Sequence, residues 1–243
     1  MMAWIVRVAC LLVFLAGLAP GARADDLSDF NRAIESVSAH NRTAIGYLRT
    51  ENVDLATLEI ERLRDAWTRF TEQYAGNRPH AFEGNPLYAN LFTSESARLV
   101  GADLMLKIGR PDAARNALDA IRKDIYELRK ASGVPVLADC VRDANAAMDE
   151  LFAFDGRTLD WTDAETGKTI ADRASTYASV LDRCDAMADG AVRKSPEFRR
   201  LVDGAKTSLA LIPHAIATRD TNLLHRVLIE LRSFDNLLDF RFG

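Results

Sequence analysis

Runs of alternating β-branched residues are missing from this 243-residue chain, and with them the period-two pattern of half-buried strands. Apolar residues recur instead at helical spacing almost throughout, so the expected fold is all-α: an antiparallel helical bundle of about eight helices. A positive charge balance is also missing, since 31 Lys and Arg face 35 Asp and Glu for a net charge of −4. That balance disfavours nucleic acid as a partner. No second long apolar run follows the one at the N-terminus, and no basic amphipathic stretch stands out. The expectation is therefore no integral membrane segment and no membrane-surface helix beyond that first run.

The N-terminal run itself has the layout of a secretory signal. Arg7 precedes the apolar stretch Val8 to Leu18, Ala19-Pro20-Gly21 breaks it, and Ala22-Arg23-Ala24 offers small residues at both positions of a cleavage site. An uncleaved anchor would need about 20 apolar residues, roughly twice this length. Cys10 lies inside the apolar stretch rather than just after it, which argues against a lipid-anchored N-terminus. Residues 1–24 are thus read as a removed signal peptide, leaving Asp25 to Gly243 with 29 basic and 35 acidic residues. Arginine outnumbers lysine 25 to 6, a bias common where coding DNA is GC-rich, and the short signal suits a bacterium, so the expected address is the periplasm.

Eight helical blocks are expected: 27–49, 53–74, 91–108, 112–131, 136–154, 170–192, 196–218 and 221–240. Gly109-Arg110-Pro111-Asp112 pairs a helix-ending glycine with a first-turn proline, and Ser195-Pro196 places a capping serine before another. Ser132-Gly133-Val134-Pro135 marks the expected seam between an N-terminal half, 25–133, and a C-terminal half, 134–243, which could stack as two four-helix units. Three segments beginning at Tyr47, Met105 and Ala215 share a break, a small or apolar residue (Ala56, Ala114, Leu224), apolar pairs and a following Arg64, Arg122 or Arg232. The middle copy resembles part of a tetratricopeptide repeat, but the later proline of that pattern is missing and the copies are irregularly spaced. Antiparallel packing of similar helices explains the likeness as well.

Cysteine is scarce: after signal removal only Cys140 and Cys184 remain. A connection centred near Thr162 would put both at similar height on neighbouring helices. Cys184 continues the stripe Ile170, Ala174, Tyr177, Leu181, and Cys140 borders the stripe Leu137, Val141, Ala144, Met148, Leu151. A structural disulfide is the leading reading, with two separate buried thiols or a reactive pair as alternatives. The acidic neighbours Asp139 and Asp185 oppose thiolate formation and count against reactivity.

Motifs that carry chemistry are absent. There is no C-x-x-C-H for covalent haem, no G-x-S-x-G, no P-loop, no G-x-G-x-x-G and no H-E-x-x-H. Candidate metal ligands are His80 with Glu83 in the loop NRPHAFEGNP, and His214 with His225, which flank the break Thr218 to Asn222. Helical-wheel positions turn both of the latter rings toward water. Met105, Met148 and Met187 are not arranged as haem ligands and are read as packing residues. Asp160, Asp163 and Glu165 lack the alternating pattern of a calcium loop. The NRPHAFEGNP loop is the expected exposed recognition loop; Leu237 and Phe242, off the apolar stripe of the last helix, are expected to pack on another helix, with a partner surface as the alternative.

The functional expectation is an exported, non-enzymatic helical protein that binds or scaffolds an envelope partner, with no cofactor. A metal- or haem-binding bundle is the alternative. N-terminal sequencing of the protein recovered from a periplasmic extract is expected to begin at Asp25; a start at Met1 in that fraction would refute the signal peptide.

Overall fold

The apolar stripes read from the sequence face inward. The computed structural model describes residues 21–243, with side chains from Asp26 onward, so the stretch Val8 to Leu18 lies outside the described residues. Among these residues there are ten α-helical segments, one 3-10 turn and no strand. The helices are α1 (Gly21–Arg49), α2 (Val53–Tyr74), α3 (Pro86–Lys107), α4 (Pro111–Ala131), α5 (Leu137–Phe152), α6 (Ala164–Met187), α7 (Gly190–Lys194), α8 (Pro196–Leu209), α9 (Ile212–Thr218) and α10 (Thr221–Phe242); the 3-10 turn is His80–Phe82.

Ten segments replace the expected eight blocks because of local capping and one proline. The Asn85 side chain accepts from the Leu87 N–H, and Pro86 occupies the first turn, so α3 begins five residues earlier than its apolar pattern suggests. Asp163 accepts from the Glu165 N–H and starts α6 inside what reads as a loop. Asp189 accepts from the N–H groups of Ala191 and Val192, which restarts the chain as α7 after α6 has ended at Met187. Pro213 has no N–H to give the carbonyl of Leu209, and the expected helix 196–218 divides there into α8 and α9.

Buried apolar side chains fall into two clusters. The first is drawn from α1 to α4, where the Phe30 ring lies 4.9 to 5.2 Å from those of Phe70, Tyr74 and Phe82. The second is drawn from α5 to α10 and includes the fully buried Tyr177 and Phe198. Within them α1 packs on α2, α3 on α4, and α5 on α6, while α10 lies against both α5 and α8.

Polar groups tie the clusters together. Arg122 of α4 donates to the Asp239 carboxylate of α10 at 2.5 Å, and both side chains are largely buried. Arg42 of α1 donates to the Gly243 carbonyl at 2.5 Å, and Arg129 of α4 pairs with Asp139 of α5 at 3.2 Å. Gly46 lets α1 approach α10 closely, since a Cβ there would stand 3.2 Å from the Phe240 ring. The repeated arginines now have a common role: Arg64 pairs with Asp103, Arg122 with Asp239 and Arg232 with Asp149, each on another helix.

Removing one partner of a buried ion pair leaves the other charge desolvated and unpaired. Arg122→Ala is expected to lower stability by about 3–5 kcal/mol, and Arg122→Met combined with Asp239→Leu to cost less than either single change. Urea denaturation followed by circular dichroism measures both.

Candidate functional site

The sulfurs of Cys140 and Cys184 lie at disulfide distance, with the two Cα atoms 5.4 Å apart. Both cysteines are buried in the second cluster, beside Val141, Ala144, Tyr177 and Leu181, as the two stripes require. This contact joins α5 to α6.

The histidine candidates are placed apart from one another. His80 Nδ1 lies 3.0 Å from Glu83 Oε1 in the 3-10 turn, on the surface. His214 is exposed on α9. The His225 ring, also exposed, has its Nδ1 2.5 Å from Asp155 Oδ1, which pins the segment after α5 to the first turns of α10. Asp155 is thus a partner that the spacing of the two histidines did not reveal. Among the described residues no three His, Cys, Asp or Glu side chains group as metal ligands would. Asp160 accepts from Thr162, Asp163 caps α6 and Glu165 pairs with Lys168, so these three carboxylates serve local turns. Met148 is fully buried, and Met105 and Met187 pack on the two clusters.

The NRPHAFEGNP loop is less free than its composition suggests. Phe82 is completely buried and stacks on Tyr88 at 5.5 Å, so the loop is anchored in the first cluster, while Asn77, Arg78, His80 and Glu83 face outward. Phe242, off the α10 stripe, docks edge-on against Phe198 of α8 at 5.1 Å. Leu237 stays exposed.

Among the buried carboxyl groups of the described residues, those of Glu95 and Asp235 are completely enclosed. Glu95 of α3 is fully buried, and neither of its oxygens has a hydrogen-bond partner among the described residues; Arg98 Nε stands 3.4 Å away. Burial pushes this carboxyl up to about 8; Asp124 adds to the rise and Arg98 opposes it. Asp235 of α10, also fully buried, accepts from Asn145 at 2.7 Å and from the Tyr177 hydroxyl at 3.4 Å. Burial pushes Asp235 up to about 7, against the pull of Asn145 and Arg232. Being enclosed, neither group can meet a substrate.

Two larger concavities are open to solvent. A groove of about 550 Å³ runs between α6 and the broken pair α8–α9. One wall carries Ala171, Ala174 and Ala178; the other carries Leu209, Pro213 and Ile216, with Lys206 also lining it. A second cleft, of about 420 Å³, is lined from α4, the connection 132–136, α5 and α6, and Cys140 forms part of its surface. Small residues at helical spacing were the available sign of the first; the second draws on Tyr126, Lys130 and Arg183, which no motif connects. No known protein family, curated protein or solved structure matches this chain.

The buried acids impose a pH dependence. An unfolded chain releases both protons near pH 4, whereas the folded chain holds them to about pH 7 and 8. The folded state therefore binds more protons across that window, and stability falls as pH rises through it. Urea midpoints are expected to decrease from pH 5 to pH 8, and Glu95→Gln to flatten the upper part of the decline.

Proposed function

We propose that this chain is a non-enzymatic, exported periplasmic module that binds an apolar helix of an envelope protein in the groove between α6 and α8–α9. The observation that carries this reading is the wall chemistry. Alanines at 171, 174 and 178 present almost no side chain, which lets a partner backbone come close, and Leu209, Pro213 and Ile216 supply apolar surface opposite. The groove is open to solvent rather than enclosed, so a helix can be laid against it. In this reading α1 to α4 form one four-helix unit and α5, α6, the broken pair α8–α9 and α10 the second, stacked as antiparallel pairs about residues 131–136, and the α6–α9 face is the working side of the second unit. The N-terminal run Val8 to Leu18 supports export, and a bridge between Cys140 and Cys184 suits an oxidising compartment.

A photo-crosslinking residue at Ala217, in the groove, is expected to capture one discrete partner in intact cells, whereas one at Glu72, on the exposed surface of α2, captures none. Ala178→Trp, which fills the groove, abolishes that product while circular dichroism and thermal melting remain unchanged. An equal product from both positions, or one indifferent to Ala178→Trp, would rule out the groove as the docking site.

A further inference from the structure

The second cleft carries an independent inference. Across it runs a chain of polar contacts: Lys130 Nζ donates to the Tyr126 hydroxyl at 3.1 Å, Tyr126 donates to Asp143 Oδ1 at 2.7 Å, and Arg183 donates to Asp143 Oδ2 at 2.5 Å. One carboxylate thus serves both Tyr126 and Arg183. The Lys130 ammonium keeps two N–H groups and the Arg183 guanidinium its remaining N–H groups without a protein acceptor among the described residues.

Charge adds to this surplus of donors. Lys130 Nζ stands 5.0 Å from the centre of the Tyr126 ring and has no carboxylate within ion-pair distance among the described residues; Arg142, which does not line the cleft, stands over the same ring at 5.5 Å. Asp139, the other acid lining the cleft, is already paired with the buried Arg129. Glu127 lies three residues before Lys130 and acts on it only through space. Two cations, Lys130 and Arg183, and two carboxylates, Asp139 and Asp143, line the cleft; with Asp139 held by Arg129 and Asp143 by Arg183, Lys130 is the lining cation without a carboxylate partner among the described residues. Pro135, Met187 and Cys140 supply its apolar surface. A volume of about 420 Å³ is in the range that holds a small organic molecule.

We propose that the cleft between α4, the connection 132–136, α5 and α6 binds a small organic anion, a carboxylate on an apolar body, with Lys130 and Arg183 gripping the anion. The apolar body lies on Met187 and Pro135, and the Tyr126 ring forms a side of the site. Because Lys130 belongs to α4 and Arg183 to α6, the ligand bridges elements of the two hydrophobic clusters. This site shares no lining residue with the α6–α9 groove, so each stands or falls alone.

The test uses the purified protein and 4-phenylbutyrate, with 4-phenylbutanamide as its uncharged counterpart, in calorimetric titration and amide-resolved NMR. For a ligand of this size a single saturable site with a Kd of ~1 mM is expected. The amide is expected to bind about tenfold more weakly, because charge-assisted hydrogen bonds are lost. Lys130→Met and Arg183→Gln are each expected to weaken 4-phenylbutyrate about fivefold or more, while Lys206→Met in the other groove leaves it unchanged. Shifted amides should cluster at residues 126–143 and 183–187. Lys130 is fully exposed, so its replacement keeps the fold and the readout stays interpretable. Equal affinity for acid and amide, retention of binding in Lys130→Met, loss in Lys206→Met instead, or no saturation by about 20 mM would each overturn the proposal.

Discussion

Asp239 is where the arrangement of helices is decided. Its side chain is buried at the end of α10, where Arg122 of α4 donates to it and Arg49 of α1 stands 3.8 Å away. A carboxylate so enclosed needs its cation in place, because the cost of desolvation is recovered only with close, well-directed partners. The last helix is thereby held against the first and fourth, and the neighbouring contacts of Arg42 with Gly243 and of Gly46 with Phe240 follow from that placement. Apolar surface alone would bring these helices together without choosing a register. A directional pair does choose one, and it also sets where α5 and α6 lie, since α10 packs on α5 and α5 on α6.

Much of the helical layout could be read in advance because burial and periodicity agree. The stripe Ile170, Ala174, Tyr177, Leu181, Cys184 is buried as its spacing requires, and so are Leu224, Val227, Leu228 and Leu231 of α10. Departures occurred where a side chain acts on its own backbone. Asn85, Asp163 and Asp189 start helices that an apolar pattern cannot show, because the first turn of a helix need not be apolar. Pro213 sits in a stripe that continues on both sides of it, so periodicity runs across a break that hydrogen bonding imposes. The pairing of Cys140 with Cys184 was accessible from stripe and height together, a case where two weak cues point to the same contact.

Sites were harder to see, for a related reason. His225 and Asp155 are 70 residues apart, and nothing in either neighbourhood announces the other. The cleft around Tyr126 takes Lys130 from one helix, Asp143 from the next and Arg183 from a third, each an ordinary exposed or half-exposed residue of its own helix. Chemistry assembled across helices leaves no spacing to recognise. The NRPHAFEGNP loop shows the converse, since a composition that looks made for recognition is largely accounted for by Phe82 closing a core.

The contact between Cys140 and Cys184 turns α5, the connection after it and most of α6 into a closed ring of the chain. Joining residues 44 apart removes loop freedom from the unfolded state equivalent to about 4 kcal/mol. The gain is confined to chains whose two thiols have been oxidised, so one sequence encodes two proteins of different durability. With the thiols reduced, the second cluster is the easier to open. Once the ring closes, the chain between the two cysteines can no longer be drawn out as a single extended strand, a restriction of topology as well as of energy.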